Sequence, residues 1–144
     1  MLKKYQIRKM IRVARKAREN AFAHRSGHKI GACVLSDDGK YYGGCNIESI
    51  ISGLGSCAER VAMNKAVVDG KYEFRAILTL DAELTYPCGA CLQHLSMFDQ
   101  VDDDGVIVII ADEKGKIEIK SLDELLPHRY KTKKVENLKK YTIK

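Results

Sequence analysis

"KIGACVLSDDGKYYGGCNIE", residues 29–48, sets two runs rich in β-forming residues on either side of "DDGK". Asp-Gly is a favoured pair for a tight primed turn, because glycine accepts positive φ without steric cost. The segment therefore predicts an antiparallel hairpin, with strands in "KIGACVLS" and "YYGGCNI" and Asp38-Gly39 at the turn.

Upstream, Ile7, Met10, Ile11, Ala14, Ala17 and Ala21 recur at helical spacing, which predicts a first amphipathic helix. Downstream, a Gly- and Ser-rich loop over 49–56 leads into a helix from about Cys57 to Val68, closed by Asp69-Gly70 with glycine as C-cap. "FRAILTL" reads as a strand, and "PCGACLQHLSMF" as a helix with proline in its first turn. "GVIVIIA" is almost wholly apolar, as suits a strand buried on both faces. "DEKGK" turns the chain into "IEIK", and Ser121 with Glu124 forms a capping-box pattern that opens a short helix ended by Pro127. The order αββαβαββα contains two strand–helix–strand crossovers, which imply parallel pairs beside the hairpin. The expected architecture is an α/β fold, a three-layer α/β/α sandwich around a mixed five-stranded sheet.

At 144 residues the chain fits one domain, placed at 1–130 with a basic tail over 131–144. Its longest apolar run, "VIVII", is far short of the roughly 18 residues that span a bilayer. The basic N-terminus has no continuous apolar stretch of the kind a secretory signal needs and reads as a structural helix. The net charge of +6 is unevenly placed: residues 1–18 hold eight Lys/Arg and no acid, and residues 129–144 hold seven against one acid. The body between them carries ten bases against eighteen acids, which argues against a groove that tracks a phosphate backbone. Five cysteines, an odd number without a secretion signal, point to reduced thiols in the cytoplasm, where clustered Cys is metal-binding or catalytic. Cys33 and Cys45 are assigned to strand packing.

Cys88-Gly89-Ala90-Cys91 spaces two thiols three residues apart at a helix start, which brings both sulfurs to one side. Unpaired N–H groups and the macrodipole at that end favour thiolates. Alone, the motif is equally a redox pair, half of a structural zinc site, or two core cysteines. Cys57 begins another helix and supplies a third thiol, while none of the four histidines shows ligand spacing with it. Three ligands and one open position are the arrangement of a catalytic zinc. If Cys57 caps its helix, Glu59 lies in the first turn beside the open position without ligating, where a general acid/base belongs. The plainer role for Glu59 is a favourable charge at a helix N-terminus, worth a few tenths of a kcal/mol.

"SCAER" followed by "PCGAC" resembles the zinc-dependent cytidine deaminases, whose signature and mechanism are established for that family. The hairpin with its Asn-x-Glu, the stretch "ERVAMNKAVVDGKYEFRAI" and the closing "LDELLPHRY" extend the resemblance over residues 7 to 130. It implies that Cys57, Cys88 and Cys91 bind Zn²⁺ as thiolates with water in the fourth position. Glu59 would take the water's proton and relay it to ring N3 and then to the departing amine, giving uridine and ammonia. Asn46 and Glu48 would hydrogen-bond the ribose hydroxyl. The resemblance also implies a homotetramer and a role in pyrimidine salvage. Three thiolates on Zn²⁺ leave a net negative centre, and Arg60 is placed to offset it by hydrogen-bonding the ligand sulfurs.

Four positions depart from the family pattern. His28 stands where phenylalanine is usual near the pyrimidine, Ser52-Gly53 replaces a tyrosine–proline pair, Leu92 replaces arginine, and Tyr130 replaces phenylalanine. His28 and Tyr130 resemble instead the deaminases of aminonucleoside antibiotics such as blasticidin S, so the alternative substrate is such an antibiotic or another cyclic amidine. A non-enzymatic reading is a zinc-stabilised module that uses its basic ends on nucleic acid, and Glu59 separates the two.

Overall fold

In the computed structural model, which describes residues 1–99 and 105–142, the hairpin forms where the sequence places it. β1 (Gly31–Ser36) and β2 (Tyr41–Cys45) pair antiparallel, from Gly31 opposite Cys45 to Leu35 opposite Tyr41. The turn differs from the expected one. Only Gly39 has positive φ, at 86°, whereas a two-residue primed turn of the Asp-Gly kind needs both central residues there. The Gly39 N–H donates to the Ser36 carbonyl at 3.0 Å, and the Ser36 N–H to the Lys40 carbonyl at 2.9 Å. The connection is thus a three-residue loop, a turn over Asp37 and Asp38 closed by a left-handed glycine.

β3 (Phe74–Asp81) adds antiparallel to the other side of β1, β4 (Ile107–Asp112) runs parallel to β3, and β5 (Ile117–Ser121) returns antiparallel to β4. The order is β2-β1-β3-β4-β5, a mixed five-stranded sheet. Both crossovers join strands of parallel direction, and one of them ends in adjacent, hydrogen-bonded strands. The crossover from β2 to β3 passes over β1, so those two strands are parallel in direction but separated, and only β3 and β4 share a parallel ladder.

Both faces of the sheet are covered. α1 (Lys4–Glu19) places Met10 and Ala14 against Cys33, Leu35, Leu78, Leu80 and Ile109. α2 (Ala58–Val68), α3 (Gly89–Ser96) and α4 (Leu122–Leu125) cover the opposite face with Ala62, Met63, Leu92, Leu95 and Leu122 on Ala32, Val34, Ile77, Val108 and Ile110. Alternate residues of β1 go to opposite layers, the two-residue period of a strand buried on both sides. The three-layer α/β/α architecture follows. Cys33 packs within it, and burial pushes its thiol up to about 12.

α1 ends before Ala21, which is buried beyond the helix. The Ser121–Glu124 capping box forms, its two bonds at 3.1 and 2.7 Å. Pro87, expected in the first turn of its helix, precedes the cap: Cys88 takes an extended conformation, φ −69° and ψ 162°, so the helix begins at Gly89. The segment read as a basic tail contains a helix, α5 (Val135–Thr142), whose Tyr141 ring meets Tyr72 edge-on at 5.4 Å, while residues 143 and 144 lie outside the described residues. Among the described residues no helix is long and apolar enough to cross a membrane.

One contact positions the site. A Cβ on Gly44 of β2 would lie 2.4 Å from the Ala58 carbonyl oxygen and 2.5 Å from the Ala62 amide nitrogen. Only glycine lets the start of α2 sit so close on the strand.

Candidate active site

Cys57 and Cys88 are the N-caps of α2 and α3, and neither sulfur caps its own helix. Both remain free to meet each other, at 3.8 Å. Cys91, one turn into α3, lies 3.5 Å from Cys88, and the three sulfurs all fall within 4.8 Å of one another. They are the one group of three or more metal-ligating side chains that comes together among the described residues. Thiolates at about 2.3 Å around a tetrahedral zinc stand roughly 3.8 Å apart, so the set fits that ion. The Cys91 thiol, with Arg60 and Cys88, holds Cys57 down to about 5 against the opposing effect of burial, while Cys91 is itself pushed up by the Cys57 thiolate and by burial. Cys57 is thus held toward the thiolate form, at a helix N-terminus, a place that favours it.

Glu59 occupies the second position of α2 and is buried. The Thr79 hydroxyl of β3 donates to its Oε1 at 2.9 Å, and Oε2 lies 3.8 Å from Cys91 Sγ. Burial raises the Glu59 carboxyl above its ordinary range, and the neighbouring Cys57 thiolate adds to that rise. Arg60 reaches back so that Nη2 lies 3.9 Å from Cys57 Sγ, and its buried Nε finds no partner among the described residues.

The cleft above this centre encloses about 750 Å³, and Glu59, Cys57 and Cys88 share its walls with His28, Asn46 and Glu48. The Asn46 amide bridges the turn before β1, accepting from Ile30 N–H at 2.9 Å and donating to the His28 carbonyl at 2.8 Å. It keeps one N–H and one lone pair for a ligand. Glu48 accepts from the Arg25 and Ser26 N–H groups at 2.8 and 3.1 Å and from the Ser26 hydroxyl, bonds that hold its carboxyl below the usual range. Of the four departures, His28 and Ser52 line the cleft. Leu92 instead fills the core, and Tyr130 is exposed with its backbone tied to Gln93 of α3.

Sequence reasoning did not find Thr79, Asp81, Thr85 or Arg25. A signal was present for the first two: a polar residue inside an otherwise apolar strand such as "AILTLD" needs a buried partner. Thr79 meets Glu59, and Asp81 meets His28.

The described profile of the cytidine and deoxycytidylate deaminase zinc-binding region matches residues 4–108. A cytidine deaminase from Sporosarcina psychrophila is 39% identical over 123 residues, covering 84% of this chain and 88% of that one. The 1.6 Å crystal structure of a cytidine deaminase from Burkholderia pseudomallei superposes with a TM-score of 0.78 at 33% identity, covering 85% of this chain and 98% of the other. A blasticidin-S deaminase from Bacillus cereus is more distant, 26% identical over 113 residues, covering 72% of this chain and 77% of that one. The chain belongs to the cytidine and deoxycytidylate deaminase zinc-binding family. Zinc is accordingly its cofactor, and among the described residues the cysteine group has the donor set for it.

Proposed function

We propose that this chain hydrolyses cytidine and deoxycytidine to uridine and deoxyuridine with release of ammonia, using zinc held by Cys57, Cys88 and Cys91. The observation that carries this reading is the Glu59 carboxyl, buried beside three convergent sulfurs in the wall of the cleft. Zinc bound there supplies a Lewis acid that makes water a nucleophile near neutral pH.

The protein's own groups do the rest. Thr79 holds Oε1 of Glu59 and leaves Oε2 as the atom that accepts the attacking water's proton. The same oxygen gives that proton to ring N3 as the water oxygen bonds to C4, then moves the remaining proton of the C4 hydroxyl to the amine as the C4–N bond breaks and C4=O forms. A raised carboxyl pKa suits both directions of transfer, because the proton is held less reluctantly than by an exposed glutamate. Arg60 offsets part of the negative charge of three thiolates. Asn46 and Glu48 hold the sugar hydroxyl with their remaining hydrogen-bonding capacity.

The basic ends do not redirect this reading toward nucleic acid. Arg15 and Arg18 of α1 pair with Glu113 at 3.1 and 2.9 Å, so part of that charge is neutralised within the fold. The setting is the cytoplasm, the role pyrimidine salvage, and the assembly a homotetramer, supported by Ile50, Ile51 and Leu54, which stand exposed beside the cleft. The domain spans 1–130, with 131–144 an appendage.

Blasticidin S or a similar aminonucleoside is the second reading, favoured by the polar His28 and Ser52 on the cleft wall. A panel of cytidine, deoxycytidine, deoxycytidylate and blasticidin S, followed by ultraviolet absorbance and ammonia release, separates the two. Turnover of the two nucleosides is expected. Turnover of blasticidin S alone supports the second reading, and ammonia from none of the four overturns both.

A further inference from the structure

Asp81 is a buried carboxylate that the proposed chemistry leaves unused. It ends β3 with its side chain 2% exposed, and four donors converge on it. The Ala82 N–H and the Thr85 hydroxyl each lie at 2.6 Å, His28 Nε2 at 2.8 Å, and Arg18 Nη2 at 4.0 Å. Three of these would satisfy the carboxylate without the fourth. Two of the donors, Thr85 and His28, line the cleft, and the His28 side chain is 56% exposed there.

The backbone of His28 is fixed as firmly as its ring. Its N–H donates to Ser26 Oγ at 3.0 Å, and its carbonyl accepts from Asn46 Nδ2 at 2.8 Å. Ser26 in turn donates to Glu48. The imidazole therefore stands on the same wall as Asn46 and Glu48 and is held from both ends. Burial alone would push the Asp81 carboxyl up, but the bonds from Thr85, His28 and the Ala82 N–H together hold it below its ordinary value. An ionised carboxylate only accepts, so a neutral imidazole facing it carries its proton on Nε2 and keeps a lone pair on Nδ1. Nδ1 has no partner among the described residues, so it is the polar atom that His28 offers to the cleft.

We propose that His28 is a specificity-determining residue whose Nδ1 accepts a hydrogen bond from a sugar hydroxyl of the bound nucleoside, with Asp81 the positioning residue that fixes its tautomer. The inference rests on the cytidine-deaminating function above. It is tested with KM and kcat for cytidine and for 2′,3′-dideoxycytidine, in the wild-type protein and in His28→Phe, His28→Gln and Asp81→Asn. Glutamine keeps a donor for Asp81 and has no atom in place of Nδ1. An asparagine amide at 81 can donate to Nε2 and so turn Nδ1 into a donor.

Both His28 variants should raise the cytidine KM about tenfold with kcat unchanged, and leave the dideoxy substrate at its wild-type KM. Asp81→Asn should raise the cytidine KM and spare the dideoxy substrate in the same way. A wild-type cytidine KM in the His28 variants, or an equal loss on both substrates, overturns the proposal, and a wild-type KM in Asp81→Asn overturns the positioning role. Wild-type protein that turns over neither nucleoside overturns the proposed function itself, a result distinct from any of these.

Discussion

Glu59 shows how one residue's surroundings assign its chemistry. A glutamate in the first turn of a helix ordinarily reports on helix stability alone. Here it is buried, its Oε1 taken by Thr79 and its Oε2 facing Cys91. Because burial raises its pKa, ionising it costs stability: that contribution is intact below the ordinary glutamate pKa and is lost as pH rises through the raised value. Metal-free Glu59→Gln should therefore melt above the metal-free wild type at pH 7, with the gap closing toward about pH 4, as read by calorimetry at both pH values. Arg60→Ala should keep its zinc, measured by atomic absorption, and lose about tenfold in kcat, because the charge near Cys57 changes while the three sulfurs do not. Unchanged kinetics would refute that role. The cysteines and Glu59 were legible in the sequence because motif spacing carries them. Thr79 and Asp81 were not, since each is separated from its partner by a strand order that local spacing does not encode.

At the scale of elements, the site exists because two helix N-termini converge over one sheet face, and Gly44 sets how closely α2 can approach. Gly44→Ala should cost about 3 kcal/mol, a fall in Tm of roughly 10 °C, because the added methyl meets backbone that cannot rotate away. Gly53→Ala, with nothing within 4 Å of its added methyl, is the matched control and should leave Tm unchanged. Helices and strands were legible because each keeps its own hydrophobic period, and the covered β1 and β4 read as apolar runs. The turn geometry and the single parallel ladder were not. Asp-Gly suits more than one loop length, and a crossover does not say whether it lands beside its starting strand or one strand beyond.

At the scale of the molecule, zinc held as proposed by Cys57, Cys88 and Cys91 would tie α2 to α3. Removing it with a strong chelator should lower Tm by about 10 °C or more, and added zinc should restore it, since a ligand bound only by the native state stabilises by mass action. Ile50 is 86% exposed beside the cleft, so Ile50→Glu should convert the proposed tetramer of 16.2 kDa chains into smaller species in analytical ultracentrifugation. A wild-type protein that sediments as a monomer would contradict the proposed assembly. The family, and with it the zinc and the layered fold, was legible from two short motifs, whereas the His28–Asp81 pair on the cleft wall became visible only once the fold brought the two residues together. The most direct test of the whole account is steady-state deamination of cytidine by Glu59→Gln, with zinc content determined on the same sample. The account predicts one zinc per chain and a loss of at least about 100-fold in kcat. Activity within a few-fold of wild type, with zinc retained, would contradict it.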